Sequence, residues 1–167
     1  MLKRLLALAL FVGLSTPAFA SSGGLFGDLF GPMSHQPMSL GTKSDVANGH
    51  LLITIDISDQ EMTVQDDWHT VYTWDVSTAR RGYSTPTGTF RPIRMNEIWY
   101  SSKYENSPMP WSIFFHGGYA IHGTEDLRHL GHAASHGCVR LDPQNAKLLY
   151  DLVSDVGMKN VKIVLHG

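Results

Sequence analysis

Leu51-Leu52-Ile53-Thr54-Ile55-Asp56-Ile57 decides the fold class. Leu51, Ile53, Ile55 and Ile57 alternate with Leu52, Thr54 and Asp56. An apolar period of two, rich in β-branched residues, is the pattern of a half-buried strand. Asp59-Gln60 supplies a turn and Met62-Thr63-Val64 a returning strand. Asp66-Asp67 makes the next turn, and Trp68 to Ser77 alternates again. Val71, Thr73 and Asp75 fall on one side of that strand, with Tyr72, Trp74 and Val76 on the other. A meander of this kind predicts a mostly β domain.

Further along, Thr85-Pro86-Thr87-Gly88 is a turn, because proline presets one dihedral and glycine permits a positive one. Thr89 to Met95 reads as one continuing strand. Ile113-Phe114-Phe115 and Tyr119-Ala120-Ile121 flank Gly117-Gly118 as a hairpin. A short helical turn is expected over 125–130. One long helix is predicted: Asp142 caps it, Pro143 takes its first position, and Leu148, Leu149, Leu152 and Val153 form its apolar stripe. Gly157 ends it, and Val161 to Leu165 is the last strand.

The N-terminal side has a different character. Lys3 and Arg4 precede an apolar run from Leu5 to Leu14, and Ala18-Phe19-Ala20 offers a small-x-small cleavage site. Residues 1–20 therefore read as a secretory signal, with the mature chain starting at Ser21. Residues 21–48 are poor in charge and rich in Gly, Ser, Pro and Met, as a flexible leader would be. Residues 49–167 form the folded domain. Thirteen basic against fifteen acidic side chains give a formal net charge of −2. The basic residues are scattered, so no nucleic-acid partner and no basic membrane-binding face are expected.

The chain has a single cysteine, Cys138, within Ser135-His136-Gly137-Cys138-Val139-Arg140. A lone cysteine in an exported chain has no internal disulfide partner, which leaves a buried apolar residue or a reactive thiol. Thiol chemistry needs a base, and His122, in Ile121-His122-Gly123-Thr124, stands at the end of a predicted strand. His136 is a second candidate. Gly137 permits a tight turn from which the N–H groups of His136, Gly137 and Cys138 could meet a developing oxyanion. The carbonyl of Gly123 could orient the His122 ring. A zinc site is the rival, since His116, His122, His129, His132, His136 and Cys138 are dense in the sequence, but their spacing matches no helix-borne metal motif.

These segments resemble the L,D-transpeptidases of the YkuD family, whose signature is a His-Gly pair followed by Ser/Thr-His-Gly-Cys. Val76-Ser77-Thr78, Thr85 to Phe90, Met109-Pro110 and Leu141-Asp142-Pro143 also match in order. The resemblance covers the chain from Leu51 to its end. It implies a β-sandwich with one longer helix, and peptidoglycan as substrate in the periplasm. Cys138 would be the nucleophile that attacks the third residue of a tetrapeptide stem and releases D-alanine. His122 would be the general acid/base, the Gly123 carbonyl its orienting group, and His136, Gly137 and Cys138 the oxyanion hole. Ser135 and Arg140 would contact substrate, Arg140 by holding a carboxylate or by bracing the loop. The acceptor would be the amine of another stem, a D-amino acid or a lysine of an outer-membrane protein. Hydrolysis at the same cysteine, as a carboxypeptidase or as a hydrolase that detaches wall-linked protein, is the alternative. The resemblance further implies no metal or organic cofactor, a monomer, and acylation of Cys138 by carbapenems.

Overall fold

The computed structural model describes residues 49–67 and 69–167. The expected signal and leader, and Trp68, lie outside the described residues. Among the described residues nine strands, one α-helix and two 3-10 turns follow one another (Leu127–His129 and Met158–Asn160 are the turns). The strands are β1 (Leu51–Asp56), β2 (Glu61–Asp66), β3 (His69–Asp75), β4 (Gly88–Phe90), β5 (Arg94–Ser101), β6 (Ser107–His116), β7 (Tyr119–Gly123), β8 (Val139–Leu141) and β9 (Val161–His166). The helix α1 (Pro143–Val156) lies between β8 and β9. One sheet has the order β3-β2-β1-β9-β4 and the other β5-β6-β7-β8. The β1–β9 and β7–β8 pairs are parallel, and the remaining pairs are antiparallel. The architecture is mostly β, as the sequence predicts.

The period of two in β1 does what it implies. Leu51, Ile53 and Ile55 are buried, and they join Met62 and Val64 of β2 and Val161, Ile163 and Leu165 of β9 in one core. Ile113, Phe115, Ile121, Val139 and Leu141 enter the same core from the second sheet. The helix closes it with Ala146, Leu149, Leu152, Val153 and Val156. Its N-cap is Asp142, whose side chain accepts from the Gln144 N–H at 2.8 Å. Pro143 occupies the first turn, and Gly157 takes φ +80° where the helix stops.

Two stretches differ from the sequence reading. Thr89 to Met95 is not one strand: β4 ends at Phe90 and β5 begins at Arg94, in the other sheet. Pro92 interrupts the pattern, because it donates no ladder bond and restricts the residue before it. The stretch from Ile98 to Pro110 is also richer in strand than its sequence suggests. β6 begins at Ser107 and runs through Pro108 and Pro110, which pair with Tyr100 and Ile98 of β5. Its pairing with β7 starts only at Ile113, so the prolines lie where β5 is the sole neighbour, a position that tolerates them. Among the described residues no helix is long and apolar enough to cross a membrane.

Candidate active site

The second sheet has two faces, and the register sorts the motif residues between them. Ile121 pairs with Val139 and His122 with Arg140 across β7 and β8. Side chains of paired residues share a face. Ile121 and Val139 turn into the core. His122 and Arg140 therefore turn to the opposite face, together with Cys138, which lies one pleat before Arg140. Cys138 packs there beside Met109, Phe114 and Ala120. A cleft of about 710 Å³ opens over this face, and His122, Cys138, Arg140, Ser135 and His136 all line it.

His122 is only 7% exposed. Its Nδ1 lies 2.7 Å from the carbonyl oxygen of Gly123. A carbonyl can only accept, so Nδ1 carries the proton and Nε2 is left as the basic nitrogen. Burial lowers the pKa of His122 from 6.5 to about 4; the Gly123 contact opposes that shift and the charge of Arg140 adds to it. Burial likewise raises the Cys138 thiol above its ordinary value, with the Ala120 N–H and Arg140 acting the other way. The resting pair at neutral pH is thus a neutral imidazole and a thiol, which suits general-base catalysis rather than a preformed ion pair.

The loop before the cysteine is held from several sides. Ser135 is 1% exposed. Its hydroxyl donates to the Cys138 carbonyl at 2.6 Å and accepts from the Gly137 N–H at 2.9 Å. Thr85 Oγ1 donates to the Gly137 carbonyl at 2.9 Å and accepts from the Ala79 N–H at 3.0 Å. Thr78 offers its carbonyl to the N–H groups of Ala134 and Ser135. Ser77 exchanges backbone bonds with Arg140, and its hydroxyl donates to the His132 carbonyl. Gln60 fixes Thr78 in turn, accepting from its N–H at 2.8 Å and bonding its hydroxyl at 2.6 Å. Ser77, Thr78 and Thr85 thus reach the site as the scaffold of its loop.

The expected site residues take different positions. His122, Cys138 and Arg140 share the cleft face. Ser135 turns its hydroxyl into its own loop. The Gly137 N–H already bonds Ser135, so it is committed inside the loop. His136 lies over the cleft rim with its ring stacked on Tyr104 at 4.3 Å and edge-on to Tyr83 at 4.6 Å. Its Nε2 lies 2.7 Å from Arg80 Nη2, and burial with the charges of Arg80, Arg140 and Lys103 holds its pKa low. Of the candidate zinc ligands, His122, His136 and Cys138 line the cleft and His116, His129 and His132 do not. His129 pairs with Asp126, and His116 packs against Phe90 and Tyr119. Among the described residues no three His, Cys, Asp or Glu side chains gather as a metal site.

Sequence reasoning missed Gln60, Arg80, Arg94 and Trp99, none of which carries a linear signal. It also left Tyr100, Tyr104, Trp111 and Tyr119 unsorted. Tyr100 and Tyr104 line the cleft, and Tyr119 lines a smaller cavity of about 200 Å³ beside Cys138. Trp111 packs against Tyr150 of the helix.

The chain belongs to the YkuD family, the L,D-transpeptidase catalytic domain, which it matches over residues 51–163. It is 29% identical over 131 residues to YciB of Bacillus subtilis (strain 168), a protein that bears an L,D-transpeptidase name; the match covers 69% of this chain and 67% of that one. An L,D-transpeptidase from Mycobacterium smegmatis superposes with a TM-score of 0.64 at 22% identity, over 71% of this chain and 59% of that one. An L,D-transpeptidase from Stackebrandtia nassauensis gives 0.63 at 25%, over 71% and 56%. The structure of LdtMt1 in complex with imipenem gives 0.63 at 20%, over 71% and 59%. The chain thus spans less than two thirds of the length of these solved structures.

Proposed function

We propose that this protein is a cysteine-dependent L,D-transpeptidase acting on peptidoglycan stem peptides in the periplasm. The observation that carries the proposal is that Cys138, in the loop just before β8, and His122, on the neighbouring β7, line one cleft in a chain of the YkuD family. In this mechanism the Cys138 sulfur attacks the carbonyl of the third stem residue while its proton passes to Nε2 of His122. The oxyanion is met by the N–H groups of Cys138 and His136, since the Gly137 N–H already serves Ser135. Collapse breaks the peptide bond, His122 returns the proton to the departing D-alanine amine, and a thioester remains. An acceptor amine then attacks the thioester, gives its proton to His122 and restores the thiol. Ser135 acts as the brace of the loop, and the Gly123 carbonyl fixes the tautomer of His122. The acceptor is a stem amine, a D-amino acid or a protein lysine.

The deciding experiment is intact-protein mass spectrometry after incubation with a disaccharide tetrapeptide, with analysis of the released muropeptides. The expected result is a thioester adduct on Cys138 and dimers joined through third residues. An adduct with tripeptide as the only product would move the assignment to hydrolysis, and no adduct with no turnover would sink it.

The depressed His122 pKa sets a pH profile. Only neutral His122 accepts the thiol proton, so kcat/KM for acylation should rise through about pH 4. The rise should be complete near pH 6, rather than centred on the 6.5 of an ordinary histidine. Stopped-flow acylation across pH 3.5–8 (a range of about 4.5 units) checks this. A limb centred at 6.5 would show that the working base is not a buried, neutral His122.

A further inference from the structure

Arg94 occupies an unusual place in the cleft. It pairs with Phe114 across β5 and β6, and Phe114 pairs with Ala120 across β6 and β7. Ala120 precedes Ile121 as Cys138 precedes Val139, its partner on β8. One row of side chains on one face therefore runs Arg94, Phe114, Ala120, Cys138. The Arg94 guanidinium carbon lies 4.0 Å from the Phe114 ring centre and 4.3 Å from that of Trp99. Those two rings meet edge to face at 5.7 Å. Arg94 is an exposed residue of the cleft lining, and its guanidinium rests against these two aromatic rings.

Trp111, in mid-strand, helps to build this seat. It adopts φ +57°, and the ladder lapses opposite Glu97. Beyond that kink Met109 and Trp99 join Phe114 and Ala120 in the apolar floor beside Cys138. A local break of this kind re-aims side chains.

Among the described residues no carboxylate forms an ion pair with Arg94. Glu125 and Asp126 are the acidic side chains that line the cleft, and Asp126 is engaged with His129. Lys103 lines it too, with its ammonium near the Tyr104 ring, and Arg140 stands beside His122. A guanidinium already ordered by aromatic contacts loses little freedom on meeting an anion, and its planar fork matches a carboxylate.

We propose that Arg94 is the positioning residue that anchors a carboxylate on the acyl-donor peptide. The proposal rests on the acyl-transfer reading of the cleft. Strands in a sheet stand about 4.8 Å apart, so a guanidinium over the β6 ring lies roughly 10 Å from the strand of Cys138. The terminal D-alanine carboxylate is too near, within about one residue, or 3.5 Å, of the scissile carbonyl. Two carboxylates on the acyl side stand several bonds away: that of the second stem residue, and the one ending the side chain of a dicarboxylic diamino acid at position three. They present the same chemistry to Arg94.

The test is an NMR titration of the full chain carrying Cys138→Ala, which removes turnover from the measurement. The ligands are the free tetrapeptide and two derivatives, one amidated at the second residue and one at the third-residue side chain. One amidation should weaken binding by about 10- to 100-fold, as expected for a lost charge-assisted pair. Which one does so identifies the source. With Arg94→Gln added, the same amidation should cost nothing, and Arg94→Lys should keep part of the discrimination. Equal affinity for all three peptides overturns the proposal. So does a penalty that persists in Arg94→Gln, because a merely structural role would weaken all three peptides together. Adduct formation on the unsubstituted chain reports separately on acyl transfer: no adduct beside intact carboxylate discrimination would sink that reading and leave the anchor standing.

Discussion

Cys138→Ala should slow acyl transfer by at least about 10⁴-fold, the scale on which an enzyme loses its nucleophile. The fold should survive. The side chain is partly buried beside Met109, Phe114 and Ala120, and removing one sulfur atom there costs about 1 kcal/mol. On the proposed mechanism His122→Ala should cost a similar factor, because burial holds the thiol above its ordinary pKa and His122 is the group assigned to take its proton. In the proposed mechanism the pair acts as a unit, so the double variant should be little slower than either single one. Tetrapeptide consumption by the four chains under single-turnover conditions, with far-ultraviolet circular dichroism as the fold check, measures all of this. Multiplying losses would mean that the two residues work independently, and a Cys138→Ala chain with full turnover would end the cysteine mechanism.

Gly137→Ala should be the most damaging single-methyl change in the domain. Gly137 takes φ +129°, a conformation that L side chains rarely adopt. A Cβ there would stand 2.5 Å from Cε1 of Tyr119 and 2.8 Å from the Ser84 carbonyl oxygen. Backbone strain and overpacking each cost about 1–3 kcal/mol, so a loss of about 3–5 kcal/mol is expected. That is a large part of the stability of an ordinary domain. Relief would come from moving the loop, which would break the bonds from Ser135 and Thr85 and displace Cys138. Chemical denaturation should show the loss, and acylation in the surviving folded fraction should fall with it. A loss under about 1 kcal/mol would mean that the loop tolerates a side chain and is less tightly built than its contacts imply.

The legible and illegible parts of this molecule divide along a physical line. Leu51 to Ile57 announced its strand because one buried face imposes a period of two on a contiguous segment. Asp142, Pro143 and Gly157 announced the helix ends because capping is a local transaction between side chain and nearby backbone. Pro108 and Pro110 hid the start of β6, since their tolerance depends on which strand is absent beside them. Pro92 is the reverse case. It broke an apparently continuous strand at the point where the chain passes from one sheet to the other.

The site divides in the same way. By itself the sequence determined a mostly β domain, its capped helix, and the two short motifs that hold His122, Gly123 and Ser135 to Arg140. Each of these is encoded in consecutive residues, so local sterics and chemistry suffice to recognise it. Only the tertiary structure decided which of those residues face the cleft. The parallel register of β7 and β8 turns His122, Cys138 and Arg140 to one side and sends Ile121 and Val139 to the core. Folding likewise drew Gln60, Thr78 and Thr85 behind the loop and turned the hydroxyl of Ser135 inward. It also buried His122 deeply enough to lower its pKa to about 4. Burial, register and the seat of Arg94 between Trp99 and Phe114 are properties of neighbours far apart in the chain, and no local pattern of residues encodes them.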